Sequence, residues 1–215
     1  MNRPLQPTFL LPDWRNAFAI INKSLISCSQ GVTGFTGKIA VQVAKHYGAK
    51  KIIVTGRNEQ TLQALLASGA DEIISVKQDD EPFISQLKEI HHNTPIDIIM
   101  DYLWGHTAEL ILSSLKGKGS YTHKVRFVSI GSVTGDKIQL SAENLRNADL
   151  QLSGSGLGSW TKNEMQQLFS EILPEMFELA ADNKLKVETE KVSLADFEKL
   201  WDMETPDGKR LVIIM

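Results

Sequence analysis

The sequence predicts an α/β fold, a doubly wound parallel sheet with helices on both faces, on three observations. Short apolar runs alternate with amphipathic helical stretches from Lys38 onward, the pattern of strands and crossover helices. Gly31, Gly34 and Gly37 recur at a spacing of three between a short β-like run and the first of those helices. Gly48 closes that helix and Lys51–Thr55 follows as a second strand, which completes a βαβ unit. A chain of 215 residues holds one large or two small domains, and its ordinary apolar content supports a real core.

The elements follow in order. Pro4, Pro7 and Pro12 punctuate an irregular start, with a short helix from Pro12 to Asn22 allowed by proline at its first turn. Ser24–Gln30 must then serve as the first strand, although it is polar for the centre of a parallel sheet, where near-continuous apolar runs are the rule. After the helix that ends at Gly48 and the strand Lys51–Thr55, Asn58 is set to cap a helix over Glu59–Ala67 that Gly69 ends. Strands are expected at Glu72–Val76, Ile96–Met100, Val125–Ile130 and Leu150–Ser153, with helices near Glu81–His91 and His106–Leu115 between them. A long helix is expected from about Lys162 to Ala180, then a strand at Leu185–Thr189. A helix over Ser193–Trp201, with Ser193 and Asp196 as a capping box, and an apolar strand over Gly208–Met215 complete the chain.

The glycine-rich turn carries the chemistry. Gly31 suits a tight turn, Gly34 leaves the backbone bare for a pyrophosphate, and Gly37 lets the helix lie close on the sheet. The first amides of that helix lack carbonyl partners and lie at the positive end of its dipole, so an anion is the natural occupant. Thr33, Gly34, Phe35 and Thr36 are the candidate phosphate contacts, with Phe35 equally suited to anchor the core. An NAD-selective site places a carboxylate at the end of the second strand, about 20 residues past the loop. Gly56-Arg57-Asn58 stands there instead, and the Arg57 fork can pair with a 2′-phosphate. The competing reading of Arg57 is a solvated strand-end arginine.

Composition narrows the alternatives. The net charge of −3 gives no electrostatic case for nucleic acid. No apolar run approaches the roughly 20 residues of a membrane span. The start of the chain makes a poor signal peptide, and Cys28 alone cannot form an internal disulfide, so a cytoplasmic protein is expected. His46, His91, His92, His106 and His123 are scattered without zinc-ligand spacing, and no metal is expected.

Several segments together resemble a known family. Gly34–Ala49, Val54–Asn58, Ser68–Ile73, Asp97–Gly105, Val128–Gly131, Gly154–Gly156 and Gly208–Val212 fall in the order of the cofactor-binding half of medium-chain dehydrogenases/reductases. The branch they resemble is the zinc-independent, quinone-oxidoreductase-like one. The resemblance implies a Rossmann-type domain and hydride transfer between NADP(H) and a small carbonyl or quinone. It also implies that Asp101 and Tyr102 border the nicotinamide ribose, and that Ile130, Gly131, Gly154 and Gly156 flank the nicotinamide. Tyr102 could donate a proton or simply pack, and the glycines could simply make turns.

The domain boundaries expected are an irregular segment over residues 1–23, a dinucleotide-binding domain over 24–183 and a C-terminal segment over 184–215. In the family that last segment packs on an N-terminal, GroES-like domain. Few residues precede Gly31, so that domain is expected to be missing and the chain to be a truncated form. The strand ending at Met215 would then be left unpaired, an association hazard that makes a homodimer plausible. Three functions stay open: an NADPH-dependent quinone or enone reductase, a non-catalytic dinucleotide-binding module or half of a split enzyme, and an inactive relic.

Overall fold

The computed structural model describes residues 24–28, 35–117, 122–196 and 209–215. Six strands form one parallel sheet: β1 (Ser24–Cys28), β2 (Lys51–Gly56), β3 (Glu72–Ser75), β4 (Ile96–Asp101), β5 (Val125–Ser129) and β6 (Leu150–Gly154). Their spatial order is β3-β2-β1-β4-β5-β6. The chain winds outward from β1 in one direction, then crosses back to β4 and winds the other way. The reversal falls between β1 and β4, and open α/β sheets bind ligands at the carboxyl ends of their strands at such a point.

Helices α1 (Phe35–His46), α2 (Glu59–Ala67), α3 (Asp80–Asn93), α4 (Gly105–Ser114) and the short α5 (Ala142–Arg146) connect the strands. Their apolar stripes dictate which face they cover. Val41, Ala44, Leu62 and Leu65 of α1 and α2 pack on Ile52, Val54, Ile98 and Met100. Phe83, Leu87, Ile111 and Leu112 of α3 and α4 pack on Ile53, Ile74, Ile99 and Phe127 from the other side. Alternate residues of β2 therefore feed opposite cores, as the two-residue period of a strand requires. In β4 the alternation slips: Ser24 pairs with Ile96 but Leu25 with Ile98, so Asp97 is the extra residue of a bulge.

The local signals act as expected over most of this region. The Asn58 carboxamide oxygen accepts from Thr61 N at 3.1 Å and caps α2, while Gly48 and Gly69 take positive φ just past their helices. Element ends drift by a residue or two: β3 stops at Ser75, β5 at Ser129, and α4 starts at Gly105. The first strand is the larger surprise. Ser24–Cys28, polar as it is, lies at the centre of the sheet and pairs along its length with both β2 and β4. The main-chain ladder on both edges does not depend on side-chain polarity.

The C-terminal third departs further. The single long helix is α6 (Lys162–Gln167), a wide π-turn at Leu168–Ile172, and α7 (Leu173–Ala181). Pro174 has no N–H to give the carbonyl four residues back, which explains the widened turn just before it. The strand expected at Leu185–Thr189 is instead β7 (Thr189–Ser193). Leu185 is drawn into the core beneath α1, and the stretch after it is tied to that helix. The Gln42 side chain donates to Lys186 O at 3.1 Å and accepts from Lys186 N at 2.7 Å, and Lys38 pairs with Glu188 at 2.9 Å.

Ser193 ends β7, and a single 3₁₀ turn follows over 194–196 where a capped helix was expected; the rest of that helix lies outside the described residues. The final strand, β8 (Arg210–Ile214), is not left unpaired: it runs parallel to β7 in a small second sheet. The expected helix over Pro12–Asn22 lies outside the described residues.

Candidate active site at the carboxyl edge of the sheet

The carboxyl edge is organised by Asp101, the last residue of β4, whose side chain is fully buried. Its Oδ1 accepts from Leu103 N at 3.0 Å and its Oδ2 from Trp104 N at 2.9 Å. Burial pushes its carboxyl up to about 6, against the two amide bonds that favour the charged form. Its carbonyl accepts from Ile130 N at 2.7 Å and from Gly131 N at 3.2 Å, so one residue ties the turn after β4 to the exit of β5.

That turn is strained. Trp104 has φ 60° and ψ −156°, a region that a bulky residue rarely enters. Three contacts hold it there: the Asp101 carboxylate on Trp104 N, and the Thr134 hydroxyl beside Leu103 O at 3.1 Å and Trp104 O at 2.9 Å. Thr134 N also donates to Leu103 O at 3.0 Å. The packing leaves no room for side chains at two points. A Cβ on Gly131 would lie 2.7 Å from Tyr102 O, and one on Gly105, itself at φ 62°, would lie 2.9 Å from Thr134 Oγ1. Gly131 is glycine for close packing of two loops rather than for a turn.

Tyr102 follows Asp101 and packs against the core on the α1 side of the sheet. Burial pushes its hydroxyl well above the usual phenol range, which keeps its proton in place. The packing role of Tyr102 is the one that this environment favours.

At the next edge, Arg57 and Asn58 leave β2 and line a cavity of about 400 Å³ together with Glu59, Gln60 and Lys77. A second cavity of about 170 Å³ is also lined by Arg57, together with Gln78, Asp80, His106 and Thr134. His106 bridges to Asp80 at 2.9 Å, and that bond raises the imidazole above its ordinary value. Beyond β5, Ser155 N donates to Ser129 O at 2.7 Å, and Gly154 and Gly156 face open space. Buried hydroxyls at two strand ends, Thr55 Oγ1 and Ser155 Oγ, have no hydrogen-bond partner among the described residues.

The structure thus places Arg57, Asn58, Asp101, Tyr102, Ile130, Gly131, Gly154 and Gly156 along one edge of the sheet, at the ends of β2, β4, β5 and β6. Phe35 and Thr36 open α1, with Thr36 exposed. Thr33 and Gly34, with Gly31, lie outside the described residues. Three residues at this edge were not singled out from sequence: Trp104, Thr134 and Lys77. A tryptophan directly before a glycine at a strand exit was the one available sign for the first; the other two act across loops and leave no local mark. Among the described residues no group of three His, Cys, Asp or Glu side chains could hold a metal ion, and no helix is long and apolar enough to cross a membrane.

Comparison with known proteins fits this geometry. The profile described as zinc-binding dehydrogenase matches residues 36–174. The mitochondrial enoyl-[acyl-carrier-protein] reductase of Arabidopsis thaliana is 27% identical over 90% of the chain and 49% of its own length. Quinone oxidoreductase 1 of Escherichia coli is 30% identical over 84% of the chain and 54% of its own. The crystal structure of Escherichia coli quinone oxidoreductase complexed with NADPH superposes with a TM-score of 0.66 at 25% identity, covering 88% of this chain and 57% of that one. The chain spans about half the length of the curated relatives it matches.

Proposed function

Because the chain belongs to the zinc-binding dehydrogenase family, within the medium-chain dehydrogenases/reductases, we propose that its carboxyl edge binds NADP(H) for reduction of a quinone or enone. One observation carries the cofactor choice: the residue that follows β2 and lines the cavity there is Arg57 rather than a carboxylate. The site's own residues fit a dinucleotide. The sheet reverses direction between β1 and β4, two buried hydroxyls at strand ends lack partners among the described residues, and cations rather than acids leave β2 and β3. The reduced nicotinamide supplies the hydride when bound.

The chain's residues do the positioning. Arg57 holds the 2′-phosphate through its planar fork, and Asn58 fixes the start of α2 beside it. Asp101, Thr134 and Gly131 make the loops after β4 and β5 one rigid floor, which would hold the nicotinamide end of a bound dinucleotide in place. Tyr102, with its proton held by burial, shapes that floor and does not serve as the acid.

A second reading keeps the binding and drops the chemistry: the chain holds the dinucleotide as a module, and a separate polypeptide completes the reaction. The raised hydroxyl of Tyr102, the candidate proton donor at this edge, favours it.

Thermal unfolding of the full chain with NADPH and with NADH tests the binding. A ligand at about 100 times its Kd stabilises the native state by about 2.7 kcal/mol. NADPH should raise the midpoint more than NADH, and Arg57→Ala should remove that difference. No rise with either nucleotide defeats the proposal. Consumption of NADPH with a quinone or enone by the chain alone then decides between catalyst and module.

A further inference from the structure

The cavity beside Arg57 has a second cation that no sequence motif marks. Gly56 of β2 is paired with Ser75 of β3, and Val76 N donates to Gly56 O at 3.0 Å, one bond beyond the ladder. Arg57 follows the first of these residues and Lys77 comes two after the second, so both leave the sheet at the same level. Adjacent strands lie about 4.8 Å apart. The backbone at Lys77 is fixed, for its N–H donates to Ser75 Oγ at 3.3 Å and the neighbouring Gln78 side chain bonds Ser75 O and Gln86. Arg57 and Lys77 then line one cavity of about 400 Å³.

Arg57 and Lys77 are the two cations that line this cavity, and the structure shows no ion pair within 4.0 Å for either among the described residues, a condition they share with several other surface lysines. The carboxylate lining the same cavity, Glu59, is the first residue of α2, where the helix dipole favours it. Two like charges at the mouths of neighbouring strands repel one another unless an anion lies between them. The asymmetry of the groups also matters. Arg57 offers a planar pair of N–H donors, and Lys77 a point charge that can approach from the other strand.

We propose that Lys77 is the second arm of a two-strand clamp, Arg57 from β2 and Lys77 from β3, that grips the 2′-phosphomonoester of the dinucleotide. This rests on the NADP(H) reading above and adds to it a specificity residue. The clamp discriminates by charge: a dianion bridges both cations, and a bare ribose hydroxyl leaves them facing each other.

The test uses the full chain and nucleotide fragments, measured by calorimetry, with adenosine 2′,5′-bisphosphate against adenosine 5′-monophosphate. Lys77→Ala should weaken the bisphosphate by about five- to tenfold and leave the monophosphate within about twofold. Lys77→Arg should restore the bisphosphate. Raising salt should erode the wild-type preference more steeply than that of Lys77→Ala, since one screened contact fewer remains. A Lys77→Ala protein that keeps the wild-type preference, or loses both fragments equally, while Arg57→Ala abolishes the preference, overturns the clamp and leaves the NADP(H) reading standing. Wild-type protein that does not prefer the bisphosphate overturns both.

Discussion

Replacing Asp101 by Asn separates two opposing forces on one carboxylate. Burial without a counter-charge disfavours the anion, and two backbone amides favour it. Burial wins: the group titrates at about 6 in the folded chain against 3.8 outside it. A difference of about 2 pH units corresponds to about 3 kcal/mol. The sign follows from linkage. With the folded value raised, the favourable contribution is whole below about pH 3.8 and is lost as pH rises through about 6. At neutral pH the native state therefore carries a buried, partly uncompensated charge.

Asparagine keeps the shape, removes the charge and cannot titrate. Its amide group turns a donor toward either Leu103 N or Trp104 N, so one acceptor is lost at a cost of about 1–3 kcal/mol at every pH. Relief of the buried charge offsets that loss at pH 7 and vanishes at pH 4. Urea unfolding of both proteins at several pH values should show a small difference near pH 7. The penalty of Asp101→Asn should grow by about 2–3 kcal/mol as pH falls to 4. Taking the difference between the two proteins cancels the other titrating groups. A penalty that stays flat, or shrinks toward acid, would refute the reasoning, because it would mean that the two amides outweigh burial and hold the carboxyl low.

Two further perturbations probe the same framework. Gly131→Ala forces a methyl group to within 2.7 Å of Tyr102 O and should cost about 1–3 kcal/mol, with loss of nucleotide binding, in denaturant melts and titrations; an unchanged melt would mean that the loops are not locked. At the other end of β4, His91 Nδ1 accepts from Ile96 N at 3.0 Å, and burial together with the neighbouring His123 lowers the imidazole below its ordinary value, against the pull of Asp97. The stability it contributes is present above about pH 6.5 and lost as pH falls below it, so His91→Asn, which keeps an acceptor, should flatten the acid-side loss in a series of melts.

How much of this was legible depends on what each residue does. Ile52–Val54, Leu62, Leu65 and Ile96–Met100 announce their strands and helices because their partners are fixed by period alone. Leu185 misleads for a physical reason: Leu185-Lys-Val-Glu-Thr189 alternates like a strand, yet its apolar residue is spent on the core under α1, and the strand forms only after it. Pro174 was visible in the sequence, but its effect is a wide turn inside a continuing helix rather than an end. At the site, Arg57 and Asp101 could be placed because they lie at strand ends, Asp101 as the last residue of β4 and Arg57 directly after β2. Thr134 could not, because its role is a hydroxyl beside the carbonyls of Leu103 and Trp104, which are distant in sequence. The polar first strand misled in the opposite direction, since its ladder bonds were invisible to a hydropathy argument.

The two ends of β4 show why the carboxyl edge is the one to associate with a ligand. Each holds a buried acid. At the amino end, Asp97 meets His123 at 2.6 Å, a partner that can carry the opposite charge. At the carboxyl end, Asp101 meets backbone amides, and its neighbour Trp104 is held in a strained conformation by those same bonds. Thr55 and Ser155, each with a hydroxyl that finds no partner among the described residues, stand at the same edge. Unpaired charge, strained backbone and orphaned hydroxyls each cost stability, and none helps the sheet to form. Their gathering at one edge, beside Arg57 and Lys77, fits a site where part of the bonding is completed by a ligand.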